Sequence, residues 1–225
     1  MTAIVYRTAD AINTAMARVY GYMGLATLVS MLVSYFVGSD LELVKFFFTG
    51  IMHWVVIFAP LVAVFVISIA LNADPPKEIA VAMLLGFAAL MGLSFAVIFA
   101  VYTMSSIVSA FMGAGILFGV MSAYGYFTRQ SLDSLGKYLF VGLIAIVIAS
   151  IINIFVGSSL FQMVISAVAI LIFLGLTAYD TQKIREQLYD SDSGNAAEIT
   201  GALTLYLDFI NLFLSLLQLT GDKKE

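Results

Sequence analysis

Long apolar runs separated by short polar connections make up most of this chain. Six runs of about 20 residues, followed by a weaker seventh, are near the length that a tilted helix needs to cross ~30 Å of hydrocarbon. They are continuous rather than alternating, which predicts helices and not a transmembrane barrel. We therefore predict an all-α, polytopic membrane protein, a bundle of seven transmembrane helices. The runs cover residues 18–37, 51–72, 79–101, 107–127, 138–156, 160–180 and 199–220.

Composition supports this class and excludes several others. The chain is 62% hydrophobic and 11% charged, where a soluble domain has about 25% charged residues. A net charge of −4 without a basic tract excludes nucleic acid as a partner. The sequence has no cysteine, which excludes disulfides and thiolate ligands, and its single histidine, His53, excludes any site that needs two imidazoles.

The distribution of Lys and Arg predicts the orientation. One side receives seven basic residues and the other receives Lys45, together with Lys223 and Lys224 if the seventh run crosses completely. The positive-inside rule then puts the N-terminus in the cytoplasm, in what we predict to be a bacterial inner (plasma) membrane. The predicted organisation is a cytoplasmic segment 1–17, one transmembrane domain 18–221 and a tail 222–225. The seven are Arg7, Arg18, Lys77, Arg129, Lys137, Lys183 and Arg185.

Residues outside the apolar pattern have simple structural interpretations. Closely spaced small residues in three spans favour helix packing inside the bundle over a dimer interface. We expect the outer connection from Gly38 to Lys45 to be a solvated loop, with weak gathering of cations by Asp40 and Glu42 as the alternative. We expect His53 to lie in the interfacial belt beside Trp54. Asn153 and Gln162, at the outer ends of two spans, are expected to bond to backbone or water, or to line an entry path for a cation. The small residues are Gly21 and Gly24, Ala82 and Gly86, and Gly115 and Gly119.

Two aspartates stand out against this apolar background. Asp180 ends the sixth run and Asp208 lies in the middle of the seventh. An ionisable group at that depth is costly and therefore marks a candidate functional site. Their midpoint is Gly194, inside the polar connection between the two runs, so in a helical hairpin both carboxylates lie at similar depth, roughly 10–15 Å from the turn. This requires the sixth spanning helix to continue to about residue 188.

A polar stripe on the seventh run supports this site. Polar or small residues recur at spacings of three and four, on one face of an otherwise apolar helix. A lipid-facing stripe would be unfavourable, so the stripe must face protein or water, which favours a central position for the last helix. Thr177 and Lys183 share a face with Asp180 on the sixth. The stripe consists of Gly201, Thr204, Asp208, Asn211, Ser215 and Gln218.

Two carboxylates within hydrogen-bond distance in a low-dielectric site cannot both ionise readily, and they titrate as a unit. A shared proton would hold the hairpin closed, whereas its loss leaves two like charges that separate or bind a cation. Carboxylate oxygens are the ligands that Ca²⁺ prefers. Asp180 and Asp208 are thus a candidate proton sensor, a candidate calcium site, or both; the alternative is that each bonds within the bundle as a structural group.

The residues around both aspartates resemble signature segments of the Bax inhibitor-1 family (transmembrane Bax inhibitor motif proteins), particularly its bacterial members. The matching segments are Gly175-Leu-Thr-Ala-Tyr-Asp-Thr-Gln-Lys183 and Gly201-Ala-Leu-Thr-Leu-Tyr-Leu-Asp-Phe-Ile-Asn-Leu-Phe-Leu214. A third, Gly119-Val-Met-Ser-Ala-Tyr-Gly-Tyr-Phe-Thr128, is similar to the family's fourth span. The likeness covers most of the chain.

This resemblance implies seven helices with the last enclosed by the other six, and a non-enzymatic, pH-sensitive calcium leak. Asp180 and Asp208 would be its sensor near the cytoplasmic mouth, with calcium and protons as the transported ions and no cofactor. It also implies an alternative, a non-conducting regulator that binds another membrane protein such as a AAA protease. Eukaryotic family members are linked to suppression of cell death.

The sequence departs from the family pattern in the cation that would stabilise the deprotonated aspartate pair. The second span ends Leu71-Asn72-Ala73-Asp74 without an arginine. Lys77, Lys183 and Arg185 are the nearest basic candidates for a closing contact.

Two proteolytic alternatives fit less well. An intramembrane aspartyl protease has a Tyr-Asp pair, as in Tyr179-Asp180, but its second Asp follows a flexible Gly-x-Gly segment. Here bulky residues, Leu205 to Leu207, precede Asp208. A rhomboid-type serine protease needs a Ser and a His in facing spans, and His53 is expected at the interface. We therefore expect no enzymatic activity.

Overall fold

The computed structural model describes residues 8–189 and 196–224, and these fold into eight α-helices. No strand forms within the two ranges, apart from an isolated bridge between Tyr102 and Lys223. The all-α prediction is therefore confirmed. The helices are α1 (Ala9–Gly38), α2 (Leu41–Phe48), α3 (Gly50–Asn72), α4 (Lys77–Val101), α5 (Met104–Phe127), α6 (Asp133–Val156), α7 (Ser159–Tyr189) and α8 (Ala197–Thr220).

In the described part of the chain, seven helices are long and apolar enough to cross a membrane, all except α2. This agrees with the seven predicted runs, but the helix ends differ. α1 begins nine residues before its apolar run, because Thr8 caps it by accepting a hydrogen bond from Ala11 N (3.3 Å). α7 continues to Tyr189, as the hairpin argument required. Gly194 and the connection around it lie outside the described residues.

The connection after α1 is not the predicted solvated loop. Asp40 accepts hydrogen bonds from the backbone N–H groups of Glu42 (2.9 Å) and Leu43 (3.2 Å), which starts the short helix α2. The loop prediction was wrong because it weighed the charges of Asp40 and Glu42, whereas Asp40 is a capping residue and the residues after it are apolar.

The described residues form two compact units. Unit 1 contains residues 8–102, 186–189, 196–206 and 223–224, and unit 2 contains residues 103–185 and 207–222. α7 and α8 thus contribute to both. The predicted extent of one membrane domain, 18–221, stays a prediction.

Unit 1 is built on close packing of α1, α4 and the first half of α8. A Cβ added at Gly92 would lie 2.5 Å from the carbonyl oxygen of Ser30, so the backbones of α1 and α4 nearly touch there. The Ser30 hydroxyl donates to Ala88 O (2.7 Å) and lies 2.6 Å from the hydroxyl of the fully buried Tyr206. Because the single Ser30 hydrogen is used on a carbonyl, Tyr206 is the donor in the second bond.

Two contacts within unit 1 link α4 to α8. One joins the starts of the two helices, and the other joins the end of α4 to the segment that follows α8. Lys77 at the start of α4 binds Glu198 in the first turn of α8 (2.9 Å). After α8, Lys224 N donates to the carbonyl of Val101, the last residue of α4 (2.9 Å). These contacts at both ends favour a complete crossing by the last span over a re-entrant one.

Unit 2 packs α5, α6, α7 and the second half of α8 through glycines and aromatic rings. A Cβ at Gly125 would overlap the backbone of Ala178, and one at Gly175 would lie 2.7 Å from the Leu139 side chain. Phe209 forms T-shaped ring pairs with Phe111 (centroids 5.3 Å apart) and Phe118 (5.7 Å). In the most apolar window of α8, 61% of the residues are buried, against at most 33% in the other spanning helices. This high burial supports the prediction of an enclosed last helix.

The small residues selected from the sequence do not make these contacts. Gly21, Gly24, Gly86, Gly115 and Gly119 are all exposed, and a Cβ added at any of them would meet nothing within 4 Å. The prediction that they pack inside the bundle was wrong. Spacing identifies a smooth helix face, but it does not determine whether that face meets a neighbouring helix or lipid.

Candidate functional site

The two aspartates meet across α7 and α8, inside unit 2. Their carboxyl groups are close enough for a side-chain hydrogen bond to each other. Asp208 is 5% exposed and Asp180 is half-buried. Two carboxyl groups can form such a bond only when one of them carries a proton.

One oxygen of Asp208 lacks an ordinary hydrogen-bond donor. Asp208 Oδ2 is buried, and no N–H or hydroxyl group of the described residues donates to it. A buried polar atom in this state is costly unless a proton, a water molecule or a cation satisfies it. A proton shared with Asp180 is one way to satisfy this oxygen.

The four supporting polar residues each donate one hydrogen bond within their own helix, and only Asn211 keeps a second N–H. Each donates to the carbonyl four residues earlier: Thr177 to Phe173 (2.7 Å), Thr204 to Thr200 (3.1 Å), Asn211 to Leu207 (2.8 Å) and Ser215 to Asn211 (2.7 Å). Such back-bonding leaves the side-chain oxygens as acceptors. The stripe on α8 thus offers oxygen lone pairs on either side of Asp208, which suits a cation more than an anion.

The candidate closing cations have identified partners other than the pair. Lys77 binds Glu198, Lys183 lies 3.7 Å from Asp133, and Arg185 donates to Tyr126 O (2.9 Å) and stacks on its ring. Arg185 follows Asp180 by five residues, which at about 100° per residue places it on a different face of α7.

Within the described ranges, no group of three or more His, Asp or Glu side chains is arranged to hold a metal ion. A cation at the aspartate pair would therefore take its remaining ligands from hydroxyl, amide, backbone or water oxygens. Ca²⁺, which accepts six to eight mixed oxygen ligands, tolerates such a set.

The Bax inhibitor-1 resemblance is borne out by comparison of the whole sequence with known proteins. Residues 12–225 match the family model described as "Inhibitor of apoptosis-promoting Bax1". The chain belongs to the Bax inhibitor-1 family.

Among similar bacterial proteins, this Bax inhibitor-1 family member is 38% identical to the inner membrane protein YbhL of Escherichia coli (strain K12) over 219 residues, 95% of this chain and 93% of the relative. A protein of Deinococcus radiodurans is 35% identical over 220 residues, covering 96% of this chain and 94% of the relative. The protein YrjE of Lactococcus lactis is 35% identical over 223 residues, covering 94% and 92%. The family member is thus an integral, multi-pass membrane protein.

A charge cluster in unit 1 was missed by the sequence reasoning. Glu198 is 8% exposed, and both of its carboxylate oxygens lie 2.9 Å from Arg18 Nε, which shares its single hydrogen between them. Its carboxylate also accepts hydrogen bonds from Arg18 Nη2 (2.5 Å) and Lys77 Nζ (2.9 Å). A cavity of about 400 Å³ beside it is lined by Asp10, Ala11, Thr14, Arg18 and Glu198. The available signal was Arg18 inside a helix long enough to span the membrane, where a charge needs a partner. Its partner is 180 residues away, so spacing could not identify it.

Asn153 bonds to neighbouring backbone as expected, accepting from Ser158 N (3.2 Å), and the outer polar residues also bind each other. Asn153 Nδ2 donates to Gln162 Oε1 (2.9 Å), and Gln162 Nε2 donates to Gln218 Oε1 (2.9 Å). Ser166 also donates to Gln218 (3.2 Å). These amides join α6, α7 and α8 in unit 2. His53 packs against Trp54, with ring centroids 5.5 Å apart, and Trp54 is 59% exposed.

Proposed function

We propose that this Bax inhibitor-1 family protein is a non-enzymatic, pH-sensitive calcium leak gated by Asp180 and Asp208. The observation that carries the proposal is the hydrogen-bonding contact between the two carboxyl groups, one of them almost fully enclosed. The acceptor stripe formed by Asn211, Ser215 and Thr204 on α8 supports the passage of a cation along this helix.

The sign of the pH dependence follows from the shared proton. While the proton is present, one carboxyl donates to the other and α7 and α8 are held together. Its loss at higher pH leaves two carboxylates in contact at low dielectric, where repulsion is only weakly screened. The pair then separates or binds Ca²⁺, so calcium flux should rise as pH rises, by at most about tenfold per pH unit for one exchanged proton.

Proteolysis by the same pair has less support. Both carboxyls of an aspartyl protease must reach a peptide and a water molecule, whereas Asp208 is enclosed. Tyr206, two residues before it, is fully buried and tied to Ser30. An aspartyl protease needs a flexible segment before its second aspartate, whereas the segment before Asp208 is held in place by the buried Tyr206.

The test is calcium flux into liposomes that hold the purified protein and a calcium-sensitive dye. Wild-type flux should increase from about pH 6 to about pH 8. Asp208→Asn and Asp180→Asn each keep a hydrogen-bonding group of the same size but cannot share a proton. Each should therefore flatten the dependence of calcium flux on pH. The matched control Asp10→Asn, at an exposed carboxylate, should leave that dependence unchanged. A double Asn variant that retains both the flux and its pH profile would contradict the mechanism.

The alternative is a non-conducting regulator that binds another membrane protein, such as a AAA protease. The exposed Gly115 and Gly119 on α5 favour it, because a G-x-x-x-G face with nothing against it is a surface on which transmembrane helices associate. Co-purification of a stoichiometric membrane partner, lost in Gly115→Leu and accompanied by no ion flux in pure liposomes, would support this function over the leak.

A further inference from the structure

The short helix α2 has three different sides. Its eight residues, Leu41–Phe48, contain no fully buried side chain. Val44, Phe47 and Phe48 are half-buried, and at about 100° per residue they share one side of the helix. Glu42 and Lys45 share another and form an exposed ion pair of 3.2 Å. Between these two sides lie the exposed Leu43 and Phe46 on one flank, and the exposed Leu41 on the other.

Connectivity fixes the level of α2 relative to its neighbours. Two residues, Ser39 and Asp40, join it to the end of α1, and Thr49 alone joins it to the start of α3. Two residues reach about 7 Å at most. Because α1 and α3 are both spanning helices, α2 must lie at the ends of these spans, at the membrane end opposite the start of α1. With eight residues it is too short to cross.

The neighbouring surface has the composition of a membrane interface. Phe36 near the end of α1 is 67% exposed, and Trp54 near the start of α3 is stacked on Phe58 and exposed to a similar degree. Tyr35 packs against Phe99 near the end of α4. Aromatic residues at this level of a spanning bundle form the belt at the headgroup boundary. The exposed Phe46 continues this belt onto α2.

We propose that α2 is an interfacial helix that binds the lipid surface at the boundary between headgroups and acyl chains. Leu43 and Phe46 enter the lipid, Glu42 and Lys45 face water, and Val44, Phe47 and Phe48 face the protein. Amphipathic helices in the interface plane have this division, with an apolar side at the acyl boundary and charges above it. The proposal is independent of the calcium leak.

Because the chain has a single tryptophan, fluorescence quenching can test this directly. Trp54→Phe removes the native signal, and Phe46→Trp in that background places one reporter on the lipid side of α2. Lys45→Trp is the matched control, one residue away on the water side. Each protein is reconstituted into vesicles whose phospholipid carries bromine either near the headgroup end or near the methyl end of the acyl chain, and is also titrated with acrylamide.

We expect the reporter at position 46 to be quenched at least about twofold more by shallow than by deep bromine, and only weakly by acrylamide. The control reporter at position 45 should be quenched strongly by acrylamide and only weakly by bromine. Leu43→Trp provides a second lipid-side reporter if Phe46→Trp does not fold.

Three outcomes would overturn the proposal. Free quenching by acrylamide with no lipid quenching at position 46 indicates a solvated helix. Stronger quenching by deep bromine indicates insertion into hydrocarbon, and protection from both quenchers indicates that a second copy or another protein covers α2.

Discussion

Glu198 shows how one side chain can stabilise a membrane bundle without belonging to the site that sequence reasoning selected. Its carboxylate, in the first turn of α8, is enclosed and accepts hydrogen bonds from a bidentate Arg18 and from Lys77. The N-terminal end of a helix also favours a negative charge. Its removal leaves two cations beside each other in a partly buried site, so its loss should cost more than that of an exposed pair.

We therefore predict that Glu198→Gln, which keeps the size and removes the charge, destabilises the protein by about 1–3 kcal/mol. The measurement is the thermal unfolding midpoint in one detergent, followed by circular dichroism. The matched control is Glu42→Gln, whose carboxylate is 84% exposed and pairs only with Lys45, and it should change stability by less than about 0.5 kcal/mol. Equal midpoints for the two variants would show that the cluster contributes little.

At the scale of elements, the tight contacts are made by glycines that spacing did not select. Gly125 of α5 touches the backbone of Ala178, two residues before Asp180, and a backbone cannot rotate away as a side chain can. Gly119, six residues earlier on the same helix, faces open space. The two glycines therefore allow a controlled comparison of packing within one helix.

Gly125→Ala should force α5 and α7 apart and destabilise unit 2 by about 1–3 kcal/mol, the usual cost of overpacking. Gly119→Ala should be neutral or slightly stabilising, because alanine is favoured over glycine inside a helix. Thermal midpoints in detergent measure both. Gly125→Ala should also alter calcium flux, since it displaces the turn that carries Asp180. If both variants unfold like the wild type, the contact at Ala178 is not as close as described.

At the scale of the whole molecule, the sequence predicts elements better than contacts. The seven spans follow from apolar length alone, and the meeting of Asp180 and Asp208 follows because consecutive helices of a hairpin place them at one depth. α2 was missed because an eight-residue helix carries too little periodicity to distinguish from a loop. The pairing of Glu198 with Arg18 could not be predicted, because local pattern carries no information about partners so distant in sequence.

The contacts at the two ends of α8 can be combined with the charge distribution to predict the topology. If α8 crosses completely, as these contacts favour, the positive-inside count is seven basic residues on the side of the N-terminus against Lys45, Lys223 and Lys224 on the other. The C-terminal tail should therefore lie outside the cytoplasm.

Because the chain has no cysteine, single cysteines can report this topology without further changes. In intact bacterial cells with a permeable outer layer, a membrane-impermeant maleimide should label Ser39→Cys and Lys223→Cys. Gln130→Cys, in the connection between α5 and α6, should be labelled only after the inner membrane is opened. Labelling of Lys223→Cys only together with Gln130→Cys would mean that the tail returns to the cytoplasm, against the pairing of Lys224 with the end of α4. Reversal of all three would instead mean that the positive-inside rule assigns the wrong orientation to an otherwise correct bundle.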